Sequence, residues 1–268
     1  MSKISQANEP SNNENTGSEL SLLEHLNELR IRLSWSAGGL LLTTILSFVF
    51  ASQLLTLLLD PYARTIAEGA ELQLLGPTEG IETYFKVSLM SGVVLSMPLI
   101  LYQLWLFIAP GLTKSERRYV FIFVPSAFLL FLVGLAFSWF VLIPSAINFL
   151  AQATFLPDSF RTDWQSREYM SFILQMLLWV SISFELPIIV YFVARVGIVT
   201  SAALREQWRM AIVGISILAA AITPSIDPVT MLLTMAPLTV LYFLSILLAW
   251  VGQRQFERSM AVDGLDGA

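Results

Sequence analysis

The chain has 268 residues, of which 56% are hydrophobic and 13% charged, with a mean hydropathy of +0.70 and a formal net charge of −5. Soluble domains carry about 25% charged residues, so this balance indicates a membrane protein. The absence of cysteine and the single histidine, His25, exclude disulfides, thiol chemistry and a His/Cys metal cluster.

Residues 1–19 are polar and rich in Asn, Ser and Glu, and read as a disordered tail. Leu20 to Arg32 then reads as an amphipathic helix. Ser21 and Glu24 have capping-box spacing, and Leu22, Leu26, Leu29 and Leu33 share one face. This helix is expected at the cytoplasmic interface. A charge-free stretch from Leu33 to Leu59 follows, and the first span is predicted over 35–59.

The second span is predicted over 84–108 and the third over 119–143. A 39-residue charge-free run (119 to 157) carries the third. As a helix that run is about 58 Å long, too long for one crossing and too short for two, so its end should continue beyond the bilayer. The fourth span, 169–194, is interrupted only by Glu185. The fifth, 211–222, is short, and the sixth covers 229–250. The two are joined by Thr223-Pro224-Ser225-Ile226-Asp227-Pro228, a tight reversal. Residues 20–252 thus form one six-helix membrane domain, with 253–268 as a second tail. Pro98, Pro187 and Pro237 are expected to interrupt spans two, four and six, which suits a bent, concave bundle.

Orientation follows from basic residues. A cytoplasmic N-terminus puts Lys3, Arg30, Arg32, Lys114, Arg117, Arg118, Arg195, Arg205, Arg209, Arg254 and Arg258 inside, 11 of the 15 Lys and Arg residues. The positive-inside rule therefore predicts that both termini are cytoplasmic.

Catalysis has little to work with. The one histidine lies on the surface helix, away from any mid-membrane serine. A phosphate-binding loop needs Gly before Lys, and the three lysines follow Ser2, Phe85 and Thr113. No catalytic residue, metal or cofactor is expected. Glu185, in Phe184-Glu185-Leu186-Pro187, is a functional candidate by its depth. A structural carboxyl beside the carbonyl freed by Pro187 is the competing reading. Glu28 and Glu116 sit among basic residues. On charge pattern alone, local balancing by i, i+4 pairs such as Glu28–Arg32 is the simpler account.

Six ordered motifs carry a resemblance. Leu23-Glu24-His25-Leu26-Asn27-Glu28-Leu29-Arg30 is similar to the amino-terminal signature of the TatC family, the receptor subunit of the twin-arginine protein translocase. Thr78-Glu79-Gly80-Ile81-Glu82-Thr83-Tyr84-Phe85-Lys86 resembles its first outer loop. Leu101-Tyr102-Gln103-Leu104-Trp105, Phe107-Ile108-Ala109-Pro110-Gly111-Leu112 and Lys114-Ser115-Glu116-Arg117-Arg118 resemble its second span and first inner loop. Phe184-Glu185-Leu186-Pro187, Gly197-Ile198-Val199-Thr200 and Thr223-Pro224-Ser225 with Asp227-Pro228 complete the set.

The resemblance implies a receptor for folded precursors whose signal peptides carry two consecutive arginines, driven by the proton-motive force. It implies that Glu28 and Glu116 grip the arginine pair, with His25, Arg30, Lys114, Arg117 and Arg118 around them. It also implies that TatA- and TatB-type single-span proteins dock in the membrane at Glu185 and along the short last spans, with Thr223 and Asp227. Self-association within a larger complex and residence in a bacterial cytoplasmic membrane follow, with a thylakoid membrane as the cyanobacterial variant. No nucleic acid is implied. A secondary transporter of a small solute is the alternative, but it needs several polar groups at mid-membrane, usually with inverted repeats.

Overall fold

The structure, a computed structural model, describes residues 13–66, 72–108, 114–151, 164–223 and 228–263, with side chains at these positions except 13–24, 108, 114–122 and 258–263. Among the described residues the fold is all helix, apart from one isolated bridge between Gln73 and Gln165.

Helix α1 runs from Asn13 to Val49, and α2 from Ala51 to Thr65. The amphipathic segment is therefore not a separate interfacial helix. It is the first part of one helix of 37 residues, about 56 Å long. The helix also begins inside the stretch read as a tail. Where the first span is predicted over 35–59, the apolar segment of membrane length among the described residues is His25–Val49. Phe50, at φ −100° and ψ 11°, turns the chain out of helical geometry. The remaining apolar residues form α2, which buries Ala51, Leu58, Pro61 and Tyr62. Absence of charge cannot distinguish such a half-buried helix from the end of a span.

Helix α3 covers Glu79–Ile108 and packs along α1. Gly92 sets their separation. A Cβ there would stand 2.7 Å from the Cα of Thr44, inside van der Waals contact. The Thr43 hydroxyl donates to the Gly92 carbonyl at 2.8 Å, fixing the register.

Helix α4 covers Lys114–Phe137, a π-helical turn Ser138–Leu142, and α5 Ile143–Ala151. Pro144 has no N–H, so the ladder cannot continue unbroken ahead of it. The ladder widens instead, and the Ile143 N–H reaches back to the Ser138 carbonyl. The apolar segment then continues to Ala151, well past the predicted end at 143.

Helices α6 (Ser166–Ser183) and α7 (Leu186–Arg195) share one membrane-length segment broken at Phe184-Glu185, with Pro187 in the first turn of α7. Pro98 and Pro237, in contrast, lie inside continuous helices. After α8 (Ser201–Glu206) come α9 (Trp208–Ile222) and α10 (Pro228–Asp263). Helix α9, at 15 residues, is about 22 Å long. Helix α10 packs on α7, where Gln255 accepts from Tyr191 and Arg195, and on α8, where Gln253 accepts from Ser201.

Five segments among the described residues are long and apolar enough to cross a membrane, and Trp208–Ile222 is a shorter apolar helix. Large apolar side chains face outward along them, Leu42 at 69% exposed and Phe140 at 74%. A surface this apolar suits lipid rather than water. The largest buried cluster joins Tyr62, Val87, Ile143, Ile147, Tyr169, Ile173 and Ile222. Smaller clusters form around Phe131 and around Trp105, Phe123 and Phe192.

Candidate functional site

The early part of α1 lies beside the end of α3. The His25 ring stacks on Phe107, with centroids 4.5 Å apart and planes 22° apart. One turn on, Glu28 and Arg32 pair at i, i+4, with Arg32 Nη2 donating to Glu28 Oε1 at 2.7 Å. Arg32 Nη1 reaches across to Gln103 Oε1 on α3 at 3.4 Å. Arg30 turns away from this seam and donates to Asn27 Oδ1 at 3.0 Å.

The Glu28 carboxylate is thus half used. Oε1 accepts from Arg32, while Oε2 accepts nothing from the described residues. Its side chain is 29% exposed. A carboxylate can accept two parallel N–H bonds from a guanidinium, so this group retains capacity for an arginine. The i, i+4 balancing read from charge pattern is present, and the free oxygen remains beside it. Lys114, Glu116, Arg117 and Arg118 stand in the first turns of α4, and their side chains lie outside the described residues.

Glu185 occupies the break between α6 and α7. Its carbonyl accepts from the N–H groups of Ile188 and Ile189, so the break costs little backbone hydrogen bonding. The side chain is buried at 4% exposure, and Oε1 has no partner among the described residues. The adjacent ring of Phe184 lies against Gly134, where a Cβ would come within 2.8 Å of the ring. Beyond it, an apolar groove of about 680 Å³ is lined by residues that include Leu46, Phe50, Leu57, Met90, Trp139 and Leu178. Glu185 does not line this groove. Thr223 is buried and donates to the Ala219 carbonyl at 2.9 Å as α9 ends. Asp227 lies outside the described residues.

Sequence reasoning missed a third carboxylate. Glu79 is fully buried and accepts from four groups: the N–H of Leu75 (2.8 Å), Gly76 (3.1 Å) and Arg167 (2.8 Å), and the Gln165 amide (3.3 Å). Beside it the Gln73 N–H donates to the Trp164 carbonyl, and the Ser166 N–H to the Gln73 carbonyl. Two loops about 90 residues apart are thereby clasped at the start of α3 and α6. No local pattern distinguishes Glu79 from the part-exposed Glu82 three positions on.

These features define a multi-pass helical membrane protein with a half-coordinated carboxylate at one end and no assembled catalytic group among the described residues. The family of Sec-independent protein translocase proteins, TatC, matches residues 24–237. The Sec-independent protein translocase protein TatC of Helicobacter pylori (strain ATCC 700392 / 26695) is 40% identical, with 85% of this chain and 87% of that one covered. The chloroplastic TATC of Pisum sativum is 36% identical over 84% of this chain and 62% of its own. A crystal structure described as the twin-arginine translocase receptor TatC superposes with a TM-score of 0.79 at 32% identity, covering 85% of this chain and 99% of that one. The chain belongs to the TatC family of Sec-independent protein translocases. Its role is therefore in protein transport rather than catalysis.

Proposed function

We propose that this chain is the receptor subunit of a twin-arginine translocation system, binding twin-arginine signal peptides of folded precursors at Glu28 and Glu116. The observation that carries the reading is the part-exposed carboxylate of Glu28 where α1 meets α3, with one oxygen accepting nothing from the described residues. Guanidinium forks match carboxylates geometrically. Glu116 lies nine residues after Phe107 (116 minus 107), and Phe107 stacks on His25. That short connection favours a shared site. Both termini are cytoplasmic in this reading, six spans cross the membrane with Trp208–Ile222 as the short fifth, and the proton-motive force drives export. TatA- and TatB-type partners dock along the membrane face. Glu185, one of the docking residues proposed with Thr223 and Asp227, would have to be uncovered there from its buried position.

The test is binding of a labelled twin-arginine signal peptide, and of its twin-lysine version, to the full chain in lipid nanodiscs. Glu28→Gln and Glu116→Gln should each weaken the twin-arginine peptide about tenfold, or about 1.4 kcal/mol. Glu24→Gln on the same helix is the control. A Glu24→Gln loss as large as that of Glu28→Gln, or equal losses for both peptides, would reduce the site to general electrostatics.

A further inference from the structure

Arg32 presents the chemistry that the proposed ligand would bring. Its guanidinium already occupies Glu28 Oε1, the oxygen that a bidentate arginine from outside would also need. The resident group is poorly seated. Of its five donor hydrogens, one bond goes to Glu28 at 2.7 Å and one to Gln103 at a long 3.4 Å. Nε is buried and has no hydrogen-bond partner among the described residues. An N–H taken from water without an acceptor disfavours the arrangement that buries it. Arg32 is therefore held in a position from which it can be displaced, with Gln103 on α3 within reach as its second acceptor.

Building on the receptor reading of Glu28, we propose that Arg32 is a specificity-determining residue, an internal guanidinium that competes with the signal peptide for Glu28. An incoming ammonium offers a point charge and binds Oε2 without disturbing Arg32. An incoming guanidinium gains its second bond only by taking Oε1, and Arg32 then shifts to Gln103. On release, Arg32 returns and neutralises the carboxylate again. The contact tempers affinity for twin-arginine peptides, so that a bound precursor can leave for the next stage.

The test measures twin-arginine and twin-lysine peptide binding to the full chain in nanodiscs, for Arg32→Met, Gln103→Leu, their double variant and Glu28→Gln. Arg32→Met should tighten the twin-arginine peptide by about two- to fivefold, the scale of a partly exposed ion pair. The twin-lysine peptide should gain less. Gln103→Leu removes the second acceptor, so displacement becomes harder and twin-arginine binding weakens. The double variant should match Arg32→Met alone. Weaker or unchanged twin-arginine binding in Arg32→Met overturns the proposal, because Arg32 would then only orient Glu28. Equal gains for both peptides also overturn it, leaving simple removal of a nearby positive charge. If Arg32→Met does not fold, Gln103→Leu decides: unchanged or tighter twin-arginine binding is the negative result. Loss of binding in Glu28→Gln combined with any of these negatives sinks the competition alone. Undiminished binding in Glu28→Gln sinks the receptor reading of Glu28 and the competition with it.

Discussion

Glu79 and Glu28 are the same side chain at opposite ends of α3, coordinated in opposite ways. Glu79 is fully buried and its oxygens accept from four donors, three of them backbone N–H groups, two from the loop before α3 and one from the first turn of α6. Glu28 is part-exposed, accepts from one side chain a single turn away, and keeps one oxygen open. A carboxylate whose capacity is filled by backbone donors holds a fold together and has nothing left for a ligand. A carboxylate held by one side chain contributes little to the fold and remains able to exchange partners. The comparison separates a carboxylate saturated by the fold from one with capacity left for the ligand proposed above, by coordination rather than by burial alone. Glu185 is a second buried carboxylate, but its Oε1 has no partner among the described residues.

The largest effect should come from Glu79→Ala. Three part-buried N–H groups, of Leu75, Gly76 and Arg167, would lose their protein acceptor and be left to water. Buried unsatisfied donors cost about 1–3 kcal/mol each before relaxation. Allowing for water entering the loops, a net loss of roughly 3 kcal/mol is expected. Thermal unfolding of the detergent-solubilised protein should show a large drop in Tm. If Tm is unchanged, the clasp between the loops is incidental and the comparison fails.

The first prediction concerns a residue that the sequence did not single out, and the reason is physical. Glu79 is made structural by Gln165 and Arg167, 86 and 88 positions away, and no periodicity reports such a pairing. The stacking of His25 on Phe107 is illegible for the same reason. What depends on near neighbours was readable. The Glu28–Arg32 pair follows from i, i+4 spacing, whereas proline alone was no guide: a break precedes Pro187, but Pro98 and Pro237, expected to interrupt their spans, lie inside continuous helices. The apolar segments were readable because lipid demands uninterrupted hydrophobicity over a fixed length. The end of α1 at Val49 was not, because Phe50-Ala51-Ser52 contains neither Pro nor Gly and the turn there serves packing of α2. The family motifs located Glu28, whereas the competing Arg32 needed coordinates.

A smaller effect tests whether the clasp is graded. Gln165→Ala removes only the 3.3 Å side-chain bond to Glu79 and leaves the three backbone donors in place. A loss of about 1 kcal/mol is expected, typical of one hydrogen bond. Unfolding followed alongside Glu79→Ala should show a drop about one third as large. Equal drops would mean that the carboxylate matters mainly by orienting Gln165.

Next comes Glu82, which uses the other face of the same residue. Its carboxylate pairs with the Arg167 side chain at 2.9 Å and with Lys86 at 3.2 Å, and all three side chains are partly exposed. Such pairs contribute about 0–1 kcal/mol and are screened by salt. Glu82→Gln should lower stability by about 0.5 kcal/mol at low salt and by still less at high salt. A loss matching that of Glu79→Ala would show that the ion pairs, rather than the buried backbone bonds, hold the loops.

The smallest stability effect belongs to Glu28→Gln, and its smallness is the informative result. The substitution removes one i, i+4 ion pair, which in a helix is worth about 0.3–0.5 kcal/mol. Gln keeps an oxygen that can accept from Arg32, so part of that contact survives. Arg32 also retains its bond to Gln103, and no backbone group loses a partner. Tm in detergent should therefore stay within the scatter of repeated unfolding curves, while twin-arginine peptide binding falls about tenfold. Glu79→Ala should show the reverse below its unfolding temperature: a large Tm loss with peptide binding retained. A marked Tm loss in Glu28→Gln would mean that its pairing with Arg32 is structural and that the two carboxylates do not divide the work between folding and recognition.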